Sequence, residues 1–155
     1  MLTIQLLTIG HKPPSWIQAG ITQYKQRLEG QFSMIYHALP AVSTKLDPKA
    51  RAQKETTSLQ AKILPGHHII ALDAQGKSIS SAHMADSLYR YQQDAQPITF
   101  IIGPSDGLSP VIKQQAHTIW SLSAMTFTHD LAQLLLLEQL YRSHCIHTNH
   151  PYHRA

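Results

Sequence analysis

PITFIIGPSDGLSP, residues 97–110, is the stretch on which the fold turns. Its apolar run, Ile98 to Ile102, shows no polar face and stops at Gly103, where Pro104-Ser105-Asp106-Gly107 has the composition of a tight turn. SPVIKQQAH then reads as a helix. HHIIALD at 67–73 repeats the arrangement: an apolar run, a turn at AQGKS, then a helix over SAHMADSLYRYQQ. Strands that are apolar on both faces and lead into helices belong to a parallel sheet covered on both sides. Working outward, LTIQLLTIG reads as a strand ended by Gly10. SWIQAGITQYKQRL places Trp16, Ile17, Ile21, Tyr24 and Leu28 at helical spacing, with Ser15 as N-cap after two prolines. FSMIYHAL is a second strand, and DPKARAQKETTSLQAKIL a helix with Asp47 at its cap, Pro48 in its first turn and Pro65-Gly66 as its stop. IWSLSAMTF is a further strand and loop before THDLAQLLLLEQLYRSHCI, a last helix. The class is α/β, organised as a single domain over residues 1–155.

Composition narrows the function. Apolar residues make up 43% and charged ones 14%, which excludes a disordered polyelectrolyte. The net charge of +4, with eleven histidines in reserve, makes nucleic acid the natural partner to test. Cys145 is the single cysteine, so no intrachain disulfide forms, and it reads as a buried, inert thiol. The opening MLTIQLLTIGHK lacks a basic n-region and interrupts its apolar run with Thr3, Gln5 and Thr8, unlike a signal peptide. The aliphatic run at 134–137 is far shorter than the roughly 20 residues that span a bilayer. A soluble, cytoplasmic protein without a membrane partner is expected.

The last helix is apolar nearly all round, whereas a surface helix shows a broad polar stripe. Burial on several sides follows, and a symmetric dimer interface accounts for it more easily than one small chain. On that helix Glu138 and Arg142 are spaced i, i+4: an ion pair worth only about 0.3–0.5 kcal/mol, or a functional cation with its partner. His144, His147, His150 and His153 recur every third residue, a spacing that could supply imidazoles to a metal. Pro151 drives the residue before it toward extended backbone, so the later histidines leave the helix face, and no carboxylate joins them. No dinucleotide or P-loop glycine pattern is present. GPSDG at 103–107 lies where ligands of open α/β sheets bind, and is either a ligand loop or a plain turn.

LDAQGKSISS at 72–81, IIGPSDGLSP at 101–110, WSLSAMTF at 120–127 and LEQLYRSHCIHTNHPYHRA at 137–155 resemble the ribosomal RNA large subunit methyltransferase H family, small SPOUT-class enzymes. The resemblance runs the whole length, from TIGHK and WIQAGITQYKQRL to the NHPYHR tail, its most specific part. It implies a trefoil knot in the carboxyl half, a homodimer and S-adenosylmethionine as methyl donor, without a metal. It also implies the product: pseudouridine methylated at N3 in a hairpin loop of 23S rRNA within the 70S ribosome. Carried onto this chain, the donor contacts Leu72, Gly103 and the segment Leu122, Ser123, Ala124, Met125, Thr126 and Phe127. His153 is the favoured base, with His129 the runner-up, since imidazole titrates near neutrality. Arg142 steadies negative charge on the deprotonated ring or a nearby phosphate, and Tyr152 stacks on a base. The resemblance thus reads the tail histidines as catalytic and RNA-contacting rather than metal-ligating, in a site completed by the partner protomer.

Three positions depart from the family pattern: Pro104 stands where a second glycine is usual, Thr128 where a proline is, and Gln133 where an arginine is. Pro104 removes an N–H and any positive φ at that point, and Gln133 removes a cation that could meet phosphate. The alternative class is a catalytically weak RNA-binding relative that keeps the fold. Donor binding without methyl transfer would single it out, as elemental analysis would a metal-binding protein.

Overall fold

The computed structural model describes residues 1–154; Ala155, at the end of the tail motif, lies outside them. The chain alternates as β1 (Thr3–Gly10), α1 (Ser15–Leu28), β2 (Ser33–Pro40), α2 (Pro48–Lys62), β3 (His68–Ser78), α3 (Ser81–Gln93), β4 (Ile98–Ile102), α4 (Pro110–Gln115), β5 (Thr118–Ser121) and α5 (His129–His147). All pairings are parallel, in the order β2-β1-β4-β3-β5. Every residue of β4 is buried, because it lies in the middle with apolar layers on both faces. On one face Ile4, Leu6, Phe100 and Trp120 pack against Ile21 of α1, Met84 of α3 and Leu136, Leu137 and Leu140 of α5. On the other, Leu7, Ile9 and Ile101 meet Leu59 of α2 and Ile112 of α4. Phe100 is fully buried, and truncating it to alanine would cost about 3–5 kcal/mol.

The connection from β1 runs outward to β2, while that from β4 runs the opposite way, past β3 to β5. Between the carboxyl ends of β1 and β4 the chain therefore diverges, leaving the crevice where open α/β sheets bind ligands. The start of α5 sits there: a Cβ on Gly10 would lie 2.6 Å from Nε2 of His129. α5 then runs beside α1, with Leu134 against Gly20, Tyr141 near Tyr24 and His144 edge-on to Phe32. From His129 to Ile146 no residue of α5 is fully exposed. Leu136, Leu137, Leu140, Ser143 and Cys145 are buried within the chain, whereas Leu131, Leu134, Leu135 and Tyr141 are only partly covered by it.

Local chemistry sets the boundaries. Asp47 caps α2 by accepting from the Ala50 N–H at 2.9 Å with Pro48 in the first turn, and Thr128 caps α5 by accepting from Leu131. Four expectations are corrected. Ser15 makes no capping hydrogen bond; the boundary residue is Pro14, and Ser15 is already helical. Trp16 lies one position off the buried stripe and is 67% exposed. AQGKS is not a turn that ends the strand but its irregular continuation, with Trp120 facing both Leu72 and Lys77. The cause is non-local: Gly76 lies so close to Ile119 that a Cβ would be 2.8 Å from its carbonyl oxygen. Finally, the helix after the PSDG turn covers only Pro110–Gln115.

Candidate active site

Leu72 pairs with Ile102 and with Trp120, so the ends of β4, β3 and β5 lie side by side. The proposed donor contacts Leu72, Gly103 and Leu122 to Phe127 follow from those three ends. Gly103 is needed for close approach, since a Cβ there would lie 2.7 Å from the Leu108 side chain. Pro104 does not disturb this loop: its carbonyl accepts from the Gly107 N–H at 2.8 Å, and the positive φ, +84°, falls on Gly107. Beyond β5, Ser121 Oγ donates to the Ser123 carbonyl and the Met125 N–H donates to Ser123 Oγ at 2.9 Å; Met125 itself stands 72% exposed. Leu122 and Phe127 line a pocket of about 220 Å³ with Ile79, Ser80, Ser81, Met84, Leu135 and Gln139. Its walls are apolar, with a few hydroxyls and an amide and no charge; of the proposed donor contacts Leu122 and Phe127 line it, whereas Leu72, Gly103 and Ser123 to Thr126 lie outside its lining.

From this pocket a polar chain leads to the tail. Ser81 Oγ donates to Gln139 at 2.6 Å, and Gln139 Nε2 donates to Glu138 Oε2 at 2.7 Å. The other Glu138 oxygen accepts from Arg142 Nη2 at 2.7 Å, from Arg142 Nε at 3.1 Å and from the Tyr152 hydroxyl at 2.8 Å. Hydrogen bonding to Glu138 holds the Arg142 guanidinium charged, raising its pKa against the effect of burial. Burial and the hydrogen bonds to Tyr24 and Glu138 push the Tyr152 phenol well above its usual range, so it is a donor and not a phenolate. The Tyr152 ring lies under Arg142, 4.8 Å from its guanidinium carbon, and edge-on to Tyr141. Arg142 Nη1 lies 3.1 Å from Nδ1 of His153. A guanidinium only donates, so Nδ1 accepts and the neutral imidazole carries its proton on Nε2. With the tail in this position, the lone pair that a base would use is already occupied.

The structure therefore gathers Arg142, Tyr152 and His153, adds Glu138 and Tyr24, and links them to the Leu122–Phe127 pocket. It does not bring His129 to them. His129 and Arg142 are thirteen positions apart along α5, roughly 20 Å at 1.5 Å per residue. The four recurring histidines also diverge. His144 turns toward Phe32, His147 stacks on Tyr89 and bonds the Ala85 carbonyl, and His150 accepts from the Tyr152 N–H. Helix α5 ends at His147, and Asn149 takes a φ of +54° that turns the tail back. Among the described residues no group of three or more His, Cys, Asp or Glu side chains could hold a metal ion.

Three features were not singled out in the sequence. Asp73, just past Leu72, pairs with Lys113 at 2.9 Å. Burial opposes its charge, but the Gln75 N–H and the Lys113 ammonium outweigh that and hold the carboxyl below its ordinary range. Tyr24 anchors the tail from α1, at 2.8 Å from the Tyr152 hydroxyl. A crevice of about 540 Å³ lies where β1, β2 and β4 end, lined by Lys12, Lys25, His129 and Asp130 among others. Only the Asp after an apolar strand had a local signal; the rest depends on which elements become neighbours.

The five-stranded parallel sheet suits a SPOUT-type methyltransferase, and residues 2–153 match the family described as "Predicted SPOUT methyltransferase". Two solved structures share the architecture. A probable methyltransferase from Bordetella pertussis Tohama I has a TM-score of 0.60 at 15% identity, covering 92% of this chain and 95% of the other. A probable methylase family protein from Haemophilus influenzae Rd KW20 has a TM-score of 0.59 at 13% identity, covering 96% and 67%. Sequence relatives resolve the family further. The ribosomal RNA large subunit methyltransferase H of Nitrosomonas eutropha is 38% identical over 99% of this chain and 100% of its own length. That of Ralstonia pickettii is 36% identical with the same coverage. The chain belongs to the ribosomal RNA large subunit methyltransferase H family.

Proposed function

We propose that this protein methylates N3 of a pseudouridine in a hairpin loop of 23S rRNA on the assembled ribosome, with S-adenosylmethionine as donor. The observation that carries the reading is the full-length identity to large-subunit rRNA methyltransferases, 38% with no uncovered segment in the relative. The uncharged Leu122–Phe127 pocket supports it, since it suits the donor. When bound, S-adenosylmethionine supplies a sulfonium methyl whose C–S bond breaks as the N3–C bond forms, the electron pair passing to sulfur. The protein's work is alignment and proton removal. Main-chain groups of Leu72, Gly103 and Leu122 to Phe127 hold the donor. Arg142 leaves His153 to meet the developing negative charge of the uracil ring; this frees Nδ1 of His153 to take the N3 proton, and Tyr152 stacks against RNA. His129 lies roughly 20 Å along α5 from its own Arg142, so its runner-up role for that proton is one it would play toward the partner's tail.

The working unit we propose is a cytoplasmic homodimer of single-domain chains, each with α5 threaded as a knot, in which one protomer's tail serves its partner's donor pocket. Exposed Trp16 on α1 and exposed Met125 beside the donor loop offer apolar surface for that contact. Among the described residues, no helix is long and apolar enough to cross a membrane. The test is transfer of labelled methyl from S-adenosylmethionine to 70S ribosomes from a strain lacking the modification, with the product nucleoside identified by mass spectrometry. Donor binding in calorimetry without transfer would leave a fold-keeping RNA-binding protein instead. Light scattering that finds only monomer in the active preparation would remove the composite site.

A further inference from the structure

The crevice at the ends of β1, β2 and β4 holds no donor contact, yet its chemistry is directed. Lys12 and Lys25 both line it, and neither ammonium is in an ion pair among the described residues. Lys25 lies over the Tyr36 ring, its Nζ 4.1 Å from the centroid. Burial lowers its pKa, the signature of a cation held without an anionic partner. At the crevice wall His129 Nε2 is buried and makes no hydrogen bond. The Asp130 carboxylate lies 3.0 Å away but out of line for one, and it is the single acidic side chain of the lining. The amino end of α5, a nineteen-residue helix, opens here through His129, Asp130 and Gln133, adding the partial positive charge of its dipole. At about 540 Å³ the space admits a nucleotide.

We propose that this crevice is an RNA phosphate subsite, in which Lys12 and Lys25 seat a backbone phosphodiester of the substrate strand beside the donor loops. The inference rests on the reading of RNA as substrate, and it adds the place where the strand is gripped. Ile102 lines the crevice and Gly103, the next residue, belongs to the proposed donor loops, so a phosphate held here lies on the side of the sheet where those loops begin. The donor's carboxylate is the competing anion, and the two make opposite predictions for donor affinity.

The test measures binding to the 23S rRNA hairpin across a potassium chloride series, with donor affinity by calorimetry alongside. In the double variant Lys12→Ala, Lys25→Gln the slope of log K against log salt should become shallower by about 1.4, two single-strand phosphate contacts at about 0.7 each. Donor affinity should be unchanged. Gln133→Arg, which adds a cation to the same wall, should steepen the slope by about 0.7. If the double variant proves unstable, Lys12→Ala alone should still flatten it by about 0.7. An unaltered slope in these variants, or a loss of donor affinity, overturns the subsite. Methyl transfer by the unmodified enzyme with unaltered variant slopes removes the subsite and leaves the function; flattened slopes without any transfer do the reverse.

Discussion

The two edges of the sheet are built from similar residue types and finished in opposite ways. At the amino edge Gln5, Thr99 and the histidines around them all have partners. Gln5, fully buried, donates to the Lys62 carbonyl at 2.7 Å and bonds His37 at 2.8 Å, while its oxygen accepts from Thr99 and the Leu64 N–H. His67 bonds Thr99, His68 bonds Thr118 and Tyr91, and His117 Nδ1 accepts from the Ile69 N–H. At the carboxyl edge His129 Nε2 has no hydrogen bond, and Lys12 and Lys25 are unpaired among the described residues. A buried polar group with its partners holds a fold, and one without needs a reason: among the described residues the latter are His129 Nε2, 3.0 Å from the Asp130 carboxylate, and the Tyr36 hydroxyl under Lys25. The difference teaches that histidine count alone says little, and that the bonding of each ring says where chemistry can happen.

The sharpest way to separate the two roles is Arg142→Ala. Transfer should fall by about 10²–10³-fold while donor affinity holds, since only charge developing in the transition state is lost. His153→Ala should fall about 100-fold with the same donor affinity; loss of donor binding in either would move these residues into the donor site. Gln5→Ala should do the reverse, costing about 3 kcal/mol in urea unfolding by stranding Thr99, the Leu64 N–H and the Lys62 carbonyl, with turnover per folded molecule intact.

Acid should weaken the amino edge. Burial, then the neighbouring His117, lowers the pKa of His68 from its ordinary 6.5, so the unfolded chain binds a proton more readily than the folded one. That contribution is fully present above pH 6.5 and is lost as pH falls from there through the lowered folded value. Urea midpoints in a pH series should drop over this window in the parent and less in His68→Gln. The smallest effect is at α1: Ser15→Ala should change stability by less than about 0.5 kcal/mol, against about 1 kcal/mol for Asp47→Ala, whose side chain does cap.

The alternation of strands and helices was readable because it depends on local pattern: the apolar runs at 69–72 and 98–102 are continuous, and Asp47-Pro48 and Pro65-Gly66 mark helix ends within a few residues. AQGKS was misread because turn composition is local whereas its extended path is imposed by Ile119, more than forty residues on. The Arg142–His153 contact was foreseeable in its members but not its geometry, since the tail's return depends on the left-handed Asn149. Of the phosphate crevice only His129 and Gln133 stood out in the sequence, and neither pointed to Lys12 or Lys25. Lys12 and Lys25 became neighbours of His129 only when α5, the last element, packed beside α1 with its amino end at the close of β1.

That strand order also dictates when the molecule can form. The central ladder joins Gln5 to Thr99, 94 positions apart, so the middle of the sheet stays open until well over half the polypeptide has been made. Nascent β1 and β2 must wait with an uncovered apolar flank, and α5 arrives last to close it. Slow, late-closing assembly of this kind favours dependence on chaperones, and it places the most aggregation-prone interval during synthesis on the same machine the finished enzyme is proposed to modify.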